Sequence, residues 1–212
     1  MRIWKTVTAT VAVSLVVVGV TAAGVIYSGA YNVAATSEHW PITRWALQTT
    51  VHRSVARQAA DIDAPQLGSE AQLLAGATNF DTMCSGCHAP PGGRQSVAAR
   101  SMYPRPPELT HAAEEKSASE IFWVIKHGIK ASGMPAWGAS HGDEDLWAMT
   151  AFVEQLPDMS AADYRQMLQT AKVRGIGHGT REHHDESGAS HGGKHSAGEA
   201  DAHQGEDAHT HG

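Results

Sequence analysis

The two cysteines of this chain lie close together, and this feature limits most strongly what the chain can fold into. Cys84 and Cys87 are separated by two residues, and His88 follows immediately. Cysteine pairs at this spacing occur in redox dithiols, in zinc sites and in sites where a prosthetic group is attached covalently. The residue that follows the second cysteine, and the sequence around the motif, must distinguish these uses.

Two of these uses have little support from the rest of the sequence. A zinc site requires a second Cys/His pair at ligand spacing, and a thioredoxin-like dithiol requires a βαβ pattern that is not found here. Thiols at Cys84 and Cys87 can instead reach the two vinyl groups along one edge of a haem and form thioethers. His88 is then held beneath the iron as its proximal ligand. We therefore predict one covalently attached haem c.

The N-terminus has the length and composition of a membrane anchor. Arg2 and Lys5 precede an uncharged run, Thr6 to Ile26, which as a helix spans roughly 31 Å and matches a hydrocarbon core of about 30 Å. The positive flank predicts a single-pass anchor over residues 1–28, with the N-terminus in the cytoplasm and the chain after Tyr31 in the periplasm. A cleaved signal peptide is the alternative. The small residues near possible cleavage sites are Ala22, Ala23, Ala34 and Ala35.

Between the anchor and the tail, hydrophobic periodicity predicts helices and no strands. The predicted helices cover residues 41–60, 69–83, 119–129, 143–156 and 160–173. The first of them forms, within a connector over 29–66, an amphipathic helix whose Leu47, Val51 and Val55 share one face. It can pack on the downstream domain, lie on the membrane surface or meet a partner. Ser119 is the expected cap of the third helix, residues 89–109 are expected to be irregular, and 159–174 to be a surface helix.

Residues 175–212 differ in composition from the rest of the chain. They hold eight of the fourteen histidines, with seven acidic and two basic residues, which is a net charge of −5. Because this segment has almost no large apolar residue, we predict a disordered tail. His191 and His195 are four residues apart, and loose binding of copper, nickel or zinc stands beside a merely soluble tail as an open alternative.

Several motifs together resemble those of the class I c-type cytochromes, over Glu70 to Leu156. The matching residues are Gly76, Phe80, the Cys84–His88 motif, Pro106-Pro107-Glu108-Leu109, Gly133-Met134-Pro135-Ala136-Trp137 and Trp147. The resemblance is strongest to the cytochrome subunits of terminal oxidases. It implies an all-α cytochrome c fold within 67–158, with three to five helices around one haem.

The resemblance also implies which residues complete the haem site. Met134 is the implied second axial ligand, and the carbonyl of Pro106 or Pro107 is implied to accept the ring N–H of His88. Gly133 and Pro135 are consistent with a loop that aims a thioether at the iron.

Other residues stay open as ligands or as parts of the pocket. Met134 can instead be a core filler, and the alternative ligands are Met102, His127, His111 and His141. His39 and His52 are expected to be exposed or hydrogen-bonded histidines and not ligands. Arg105 is expected either to pair with a haem propionate or to be solvated. The residues expected to line the pocket or the core are Phe80, Leu109, Trp123, Trp137 and Trp147.

Ligation by His and Met favours electron transfer over substrate chemistry, because both axial positions are filled. We expect a membrane-anchored electron carrier, not an enzyme, in the inner membrane, with redox partners such as a quinol-oxidising complex or a terminal oxidase. The alternatives are a haem subunit of a larger membrane oxidoreductase and a metal-handling protein that acts through its tail. A nucleic-acid partner is not expected, because the sequence has no basic stripe.

Overall fold

A computed structural model describes residues 2–177. The disorder and the metal binding predicted for the tail concern residues that, from 178 onward, lie outside this described part. Residues 2–177 contain no strand, so the all-α prediction is confirmed. The helices are α1 (Arg2–Ser28), α2 (Pro41–Ala59), α3 (Glu70–Met83), α4 (Val97–Arg100), α5 (Leu109–Glu115), α6 (Ala118–His127), α7 (Asp143–Glu154) and α8 (Ala161–Val173), with 3-10 turns at Trp137–Ala139 and Leu156–Asp158.

α1 is the single helix in residues 2–177 that is long and apolar enough to cross a membrane. The helix has 27 residues, which include the uncharged run, and none of its side chains is buried against the rest of the described chain. Trp4 and Tyr27 stand near its two ends, both exposed. At 1.5 Å per residue they are separated by roughly 35 Å along the axis, slightly more than the thickness of a hydrocarbon core.

α3 and α7 cross at close range and form the centre of the core. α3 begins where the Ser69 hydroxyl accepts a hydrogen bond from the backbone N–H of Gln72. Gly76 allows the close approach, since a Cβ at this position would lie 2.1 Å from the carbonyl oxygen of Ala148. Phe80 and Phe152 meet beside this contact, with ring centroids 5.1 Å apart. The cysteine motif follows directly from the end of α3.

The cap of α6 lies two residues earlier than we predicted, and the helix begins at Ala118. The cap is Ser117, not Ser119, because Ser117 and Glu120 form a reciprocal capping box. The Ser119 hydroxyl instead donates to the carbonyl oxygen of Ile62, 2.7 Å away, and ties the connector to the domain. The helix ends at His127, not Ile129, because Gly128 has a φ of 64° and leaves the helical conformation.

α7 matches the prediction at its start and nearly at its end. Asp143, Glu144 and Asp145 form its first turn, where their charges favour the helix N-terminus. The helix ends at Glu154, two residues short of the predicted end. Leu146, Met149 and Phe152 on this helix are almost fully buried.

α8 is more than the surface helix that we expected. The ring of Tyr164 is buried against Phe80 and Phe152. Its hydroxyl donates to Asp81 Oδ1 at 2.7 Å. Arg174, just after the helix, reaches Glu70 Oε1 at 2.7 Å. The helix therefore closes the outer side of α3.

α2 packs on the domain with only part of the predicted face. Val55 and Ala59 are buried, and α2 contacts α6. Leu47 and Val51, predicted to share the face of Val55, are 49% and 38% exposed. Of the three placements left open, packing on the domain is thus established for the C-terminal half of α2.

The stretch over 89–109 is less irregular than expected. It contains the short helix α4, which the Ser96 hydroxyl caps by accepting from the backbone N–H of Ala99 at 3.1 Å. Leu109, at the end of the stretch, starts α5 and packs against the core. These elements carry the loop over 101–108 across the face of the cysteine motif.

Candidate haem site

The cysteine motif forms one tight turn at the end of α3. The N–H of Cys84 donates to the carbonyl oxygen of Phe80 at 2.9 Å, which continues the helix by one residue. The N–H groups of Cys87 and His88 then both donate to the carbonyl oxygen of Cys84, at 3.0 and 2.8 Å. This turn presents both sulfurs and the imidazole within five residues. The two cysteines form no disulfide with each other.

Cys84 is the more buried of the two thiols, with 8% of its surface exposed. Burial, and to a lesser extent the neighbouring Cys87, raises the pKa of Cys84 to about 12. The thiol is therefore protonated and not reactive as a free thiolate at neutral pH. Burial thus gives Cys84 no activation as a nucleophile.

His88 is held by a single, well-placed backbone partner. Its Nδ1 lies 2.9 Å from the carbonyl oxygen of Pro107 and donates to it, which leaves Nε2 as the ring nitrogen that can bind a metal. His88 is 8% exposed. Burial lowers the pKa of His88, and the bond to Pro107 opposes that shift only in part. The imidazole is thus neutral, as a metal ligand must be.

The two prolines implied for this role have different partners. Pro107 bonds His88, whereas the carbonyl oxygen of Pro106 accepts from Nε2 of Gln95 at 2.7 Å. Gln95 was not among the residues singled out from the sequence. It fixes the proline loop, and no sequence motif marks it, since the contact joins residues eleven positions apart across an irregular stretch.

Met134 lies in a compact turn that begins where α6 ends. The N–H of Ile129 donates to the carbonyl oxygen of Met134 at 3.3 Å, and the N–H of Met134 donates to the Ser132 hydroxyl at 3.1 Å. That hydroxyl donates in turn to the carbonyl oxygen of Ile129 at 2.7 Å. Met134 is half-buried. The turn therefore holds the backbone of Met134 in a fixed position.

Met102 lies beside the same turn. A Cβ on Gly133 would come within 3.0 Å of the Met102 sulfur. The Met102 sulfur thus lies next to the residue that precedes Met134. Their proximity keeps Met102 in view as the alternative ligand.

Of the candidate pocket aromatics, three belong to the core or pack against it, and Trp123 lies nearer the surface. Phe80 is fully buried. Trp147 stacks on Phe122 with centroids 4.0 Å apart and planes 10° apart, and Trp137 packs against the core, 5.7 Å from the ring of His141. Trp123 is half-buried and lies 5.0 Å from the exposed His127.

The remaining candidates have partners of their own. Arg105 donates from Nη2 to the carbonyl oxygen of Arg100 at 3.3 Å. Exposed His111 lies 3.6 Å from Glu114. His52 lines a surface pocket together with Pro107 and His111. Within residues 2–177, no three His, Cys, Asp or Glu side chains group together as ligands for a bare metal ion, so the zinc alternative lacks the second ligand pair that it requires.

One cluster near the site was missed. The Tyr31 hydroxyl hydrogen-bonds Nδ1 of His39, and the backbone N–H of His39 donates to the Tyr103 hydroxyl at 3.0 Å. The rings of His39 and Tyr103 meet edge-on with centroids 4.8 Å apart. Tyr103 directly follows Met102, so the connector after α1 contacts the loop that carries the alternative thioether. Residues 64 positions apart give no local sequence signal for such a contact.

A family model agrees with this geometry. Residues 71–153 match the family described as cytochrome c oxidase, cbb3-type, subunit III. This segment is a class I c-type cytochrome domain. None of the curated proteins and none of the solved structures matches the chain. Cytochrome c domains of the cbb3 type carry haem c and serve haem-based electron transfer with redox partners in respiratory complexes.

The residues of the cytochrome domain fit this cofactor. Two free thiols and a neutral imidazole lie in one turn. The hydrogen bond from Nδ1 to Pro107 leaves the opposite ring nitrogen for iron. Thioether sulfurs at Met102 and Met134 are soft donors of the kind that bind haem iron as a second axial ligand.

Proposed function

We propose that this chain is a membrane-anchored electron carrier that holds one haem c through Cys84, Cys87 and His88 in the periplasm. The observation that carries the proposal is the hydrogen bond between His88 Nδ1 and the carbonyl oxygen of Pro107. It fixes the tautomer and orientation of the ring and raises its basicity as a ligand.

The two cysteines have the role of attachment in this proposal. Cys84 is buried at the end of α3, and Cys87 lies half-buried one turn later. Because both positions are fixed by backbone hydrogen bonds to the preceding turn, each sulfur has a constrained place at the edge of the site. Covalent attachment there orients the group relative to His88 without further contacts.

Met134 is the proposed sixth ligand. A haem held between an imidazole and a thioether supplies one-electron chemistry with both axial positions filled. The protein has two tasks at this site: the turn over 128–135 keeps the thioether in place, and apolar side chains exclude water. The apolar side chains that do this belong to α3, α6 and α7; they include Phe80, Ile121, Phe122, Leu146 and Met149.

The membrane part of the proposal comes from α1. Its length, its exposed apolar surface and the aromatic residues near both ends suit a spanning helix. Arg2 and Lys5 place the N-terminus in the cytoplasm by the positive-inside rule and the cytochrome domain outside. The proposed partners are a quinol-oxidising complex as donor and a terminal oxidase as acceptor.

The attachment is tested with the full chain, produced in cells equipped to attach haem and purified in detergent. We expect haem to stay with the polypeptide after denaturing electrophoresis, and the mass of the protein to rise by that of one haem. Replacing both Cys84 and Cys87 with serine removes the covalent haem, whereas Ser85→Ala, within the same turn, leaves it. A native chain without covalent haem, or with more than one, contradicts the proposal.

The two-ligand state is tested on the reduced protein with carbon monoxide. A filled sixth position predicts a low-spin spectrum that does not change when carbon monoxide is added. An immediate spectral change would show a vacant position and would rule out the carrier function as proposed.

The matched family favours a second candidate function, that of a haem subunit within a larger membrane oxidoreductase. Purification in mild detergent distinguishes the two. A carrier separates as a single chain, whereas a subunit co-purifies with fixed partner chains at constant stoichiometry. The third alternative, metal handling by the tail, remains a prediction that deletion of residues 175–212 tests under copper or zinc stress.

A further inference from the structure

α2 has a second face, turned away from the domain. Val55 and Ala59 pack toward α6. A second set of residues, which follow one another at spacings of three or four positions, lies along a different side of the helix. We call this line the outer face of α2. It consists of Ile42, Trp45, Thr49, Arg53 and Arg57.

The outer face exposes large apolar side chains at its beginning. Ile42 is 65% exposed and Trp45 is 63% exposed. Trp45, Thr49, Arg53 and Arg57 line one shallow groove along the helix, so they form a continuous surface. The surface therefore combines an exposed indole ring, a group that favours the lipid headgroup level, with two positive charges.

The charge of α2 is entirely positive. Pro41–Ala59 contains three arginines and no aspartate or glutamate. Arg44 lies 3.5 Å from Glu38, but among residues 2–177 no carboxylate pairs with Arg53 or Arg57. The outer face thus carries two positive charges that a surface of negative charge would complement.

The chain keeps the start of α2 near the end of α1. α1 ends at Ser28, and Tyr31, only three residues later, packs edge-on against Trp40 with centroids 5.1 Å apart. Trp40 directly precedes α2. Since three residues extend at most about 10 Å, Trp40 cannot lie far from the point where α1 ends.

We infer that the outer face of α2 docks on the anionic lipid headgroups of the membrane that α1 anchors to. The inference rests on the anchoring proposed above. Tryptophan rings favour the headgroup level, and two arginines near an anionic surface together strengthen binding by at least about tenfold. Because Val55 and Ala59 join α2 to α6, docking of α2 holds the cytochrome domain itself against the membrane surface.

The test uses the full haem-loaded chain in vesicles that contain a small amount of a phospholipid with a photoreactive diazirine near its headgroup. Labelled peptides are identified by mass spectrometry. In vesicles rich in phosphatidylglycerol we expect label on α1 and on residues 42–53 of α2. In pure phosphatidylcholine the label on α1 stays, whereas the label on α2 falls about tenfold.

Variants of the arginines test whether α2 is labelled because of its positive charge or only because it lies near the membrane. The pair Arg53→Gln and Arg57→Gln should lower the labelling of α2 in phosphatidylglycerol about tenfold, while α1 remains labelled. Arg165→Gln, which removes an exposed arginine from α8, is the matched control and should change nothing. An unchanged haem spectrum shows that each variant is folded.

Each result supports or overturns a definite statement. If α1 is labelled but α2 is not, the docking is wrong and the anchor stands; if α1 is unlabelled, the anchor itself is wrong. Equal labelling of α2 on both lipids, or in the double variant, overturns the requirement for anionic headgroups.

Discussion

The backbone of Gly128 lies against the carbonyl oxygen of Met134. A Cβ on Gly128 would come within 2.6 Å of that oxygen and within 2.8 Å of the carbonyl carbon of Pro135. Gly128 also has φ 64° and ψ −173°, a conformation that is essentially restricted to glycine. The end of α6 and the turn that carries Met134 therefore depend on each other through one residue without a side chain.

Gly128→Ala should accordingly displace the turn of Met134. The backbone strain and the clash together are expected to cost about 3 kcal/mol, measured as the free energy of unfolding by denaturant in detergent. We also expect loss of the Met-ligated haem spectrum. The control is Gly68→Ala, at a positive φ of 99° with nothing within 4 Å of the added Cβ, which should lower stability by about 1 kcal/mol and leave the spectrum unchanged. Equal effects of the two variants would contradict the contact.

Met134→Ala tests the sixth ligand directly. Removal of the thioether should open a position to carbon monoxide and lower the reduction potential, since axial ligands set haem potentials over a range of about 0.8 V. The measurements are redox titration and the carbon monoxide spectrum. Met102→Ala is the matched control, because Met102 lies beside the same turn. If only Met102→Ala gives these changes, the ligand is Met102 and the assignment to Met134 is wrong.

The sequence contains the signal for the cap of α6, although the prediction of Ser119 as that cap is wrong. Ser117 and Ser119 are both good helix caps, but only Ser117 is followed three residues later by a glutamate that completes the capping box. Acids at Asp143 and Glu144 correctly predicted the start of α7. Such signals act over one helical turn, and that is why sequence reasoning located most helices to within about two residues.

Contacts across the fold were not readable in this way. Pro106 and Pro107 present chemically identical carbonyls, and the choice of Pro107 for His88 depends on the path of a loop that Gln95 holds from the other side. The hydrophobic pattern likewise assigned Leu47 and Val51 to a buried face of α2. α6 covers α2 only near its C-terminal end, so the apolar residues earlier in the helix have no surface to pack against and stay exposed.

Gly76→Ala tests the crossing of α3 and α7. The added methyl would lie 2.1 Å from the carbonyl oxygen of Ala148 and 2.8 Å from Cβ of Phe152. Since a backbone carbonyl cannot swing aside, the two helices must separate, at a cost of about 3 kcal/mol. Gly86→Ala, with open space around the new Cβ, should change the free energy of unfolding by less than about 1 kcal/mol. A fully stable Gly76→Ala protein would show that the helices are not in contact at this point.

The hydrogen bond from Tyr164 to Asp81 should make stability depend on alkaline pH. Burial, and next the bond and charge of Asp81, raise the pKa of Tyr164 well above its usual value of 10.0. The unfolded chain therefore releases the phenolic proton at a lower pH than the folded one. The contribution is complete below pH 10 and is lost as the pH rises above it, by about 1.4 kcal/mol per pH unit.

This dependence is measured by denaturant unfolding between neutral pH and pH 11, followed by far-UV circular dichroism. Tyr164→Phe removes the ionising group but keeps the ring against Phe80 and Phe152. The variant should be less stable than the native chain at pH 7 by about 1 kcal/mol, the usual net value of a hydrogen bond, and the difference should shrink or reverse by pH 11. Parallel curves for the two proteins would mean that the phenol ionises equally easily in both states, and that Asp81 does not hold it.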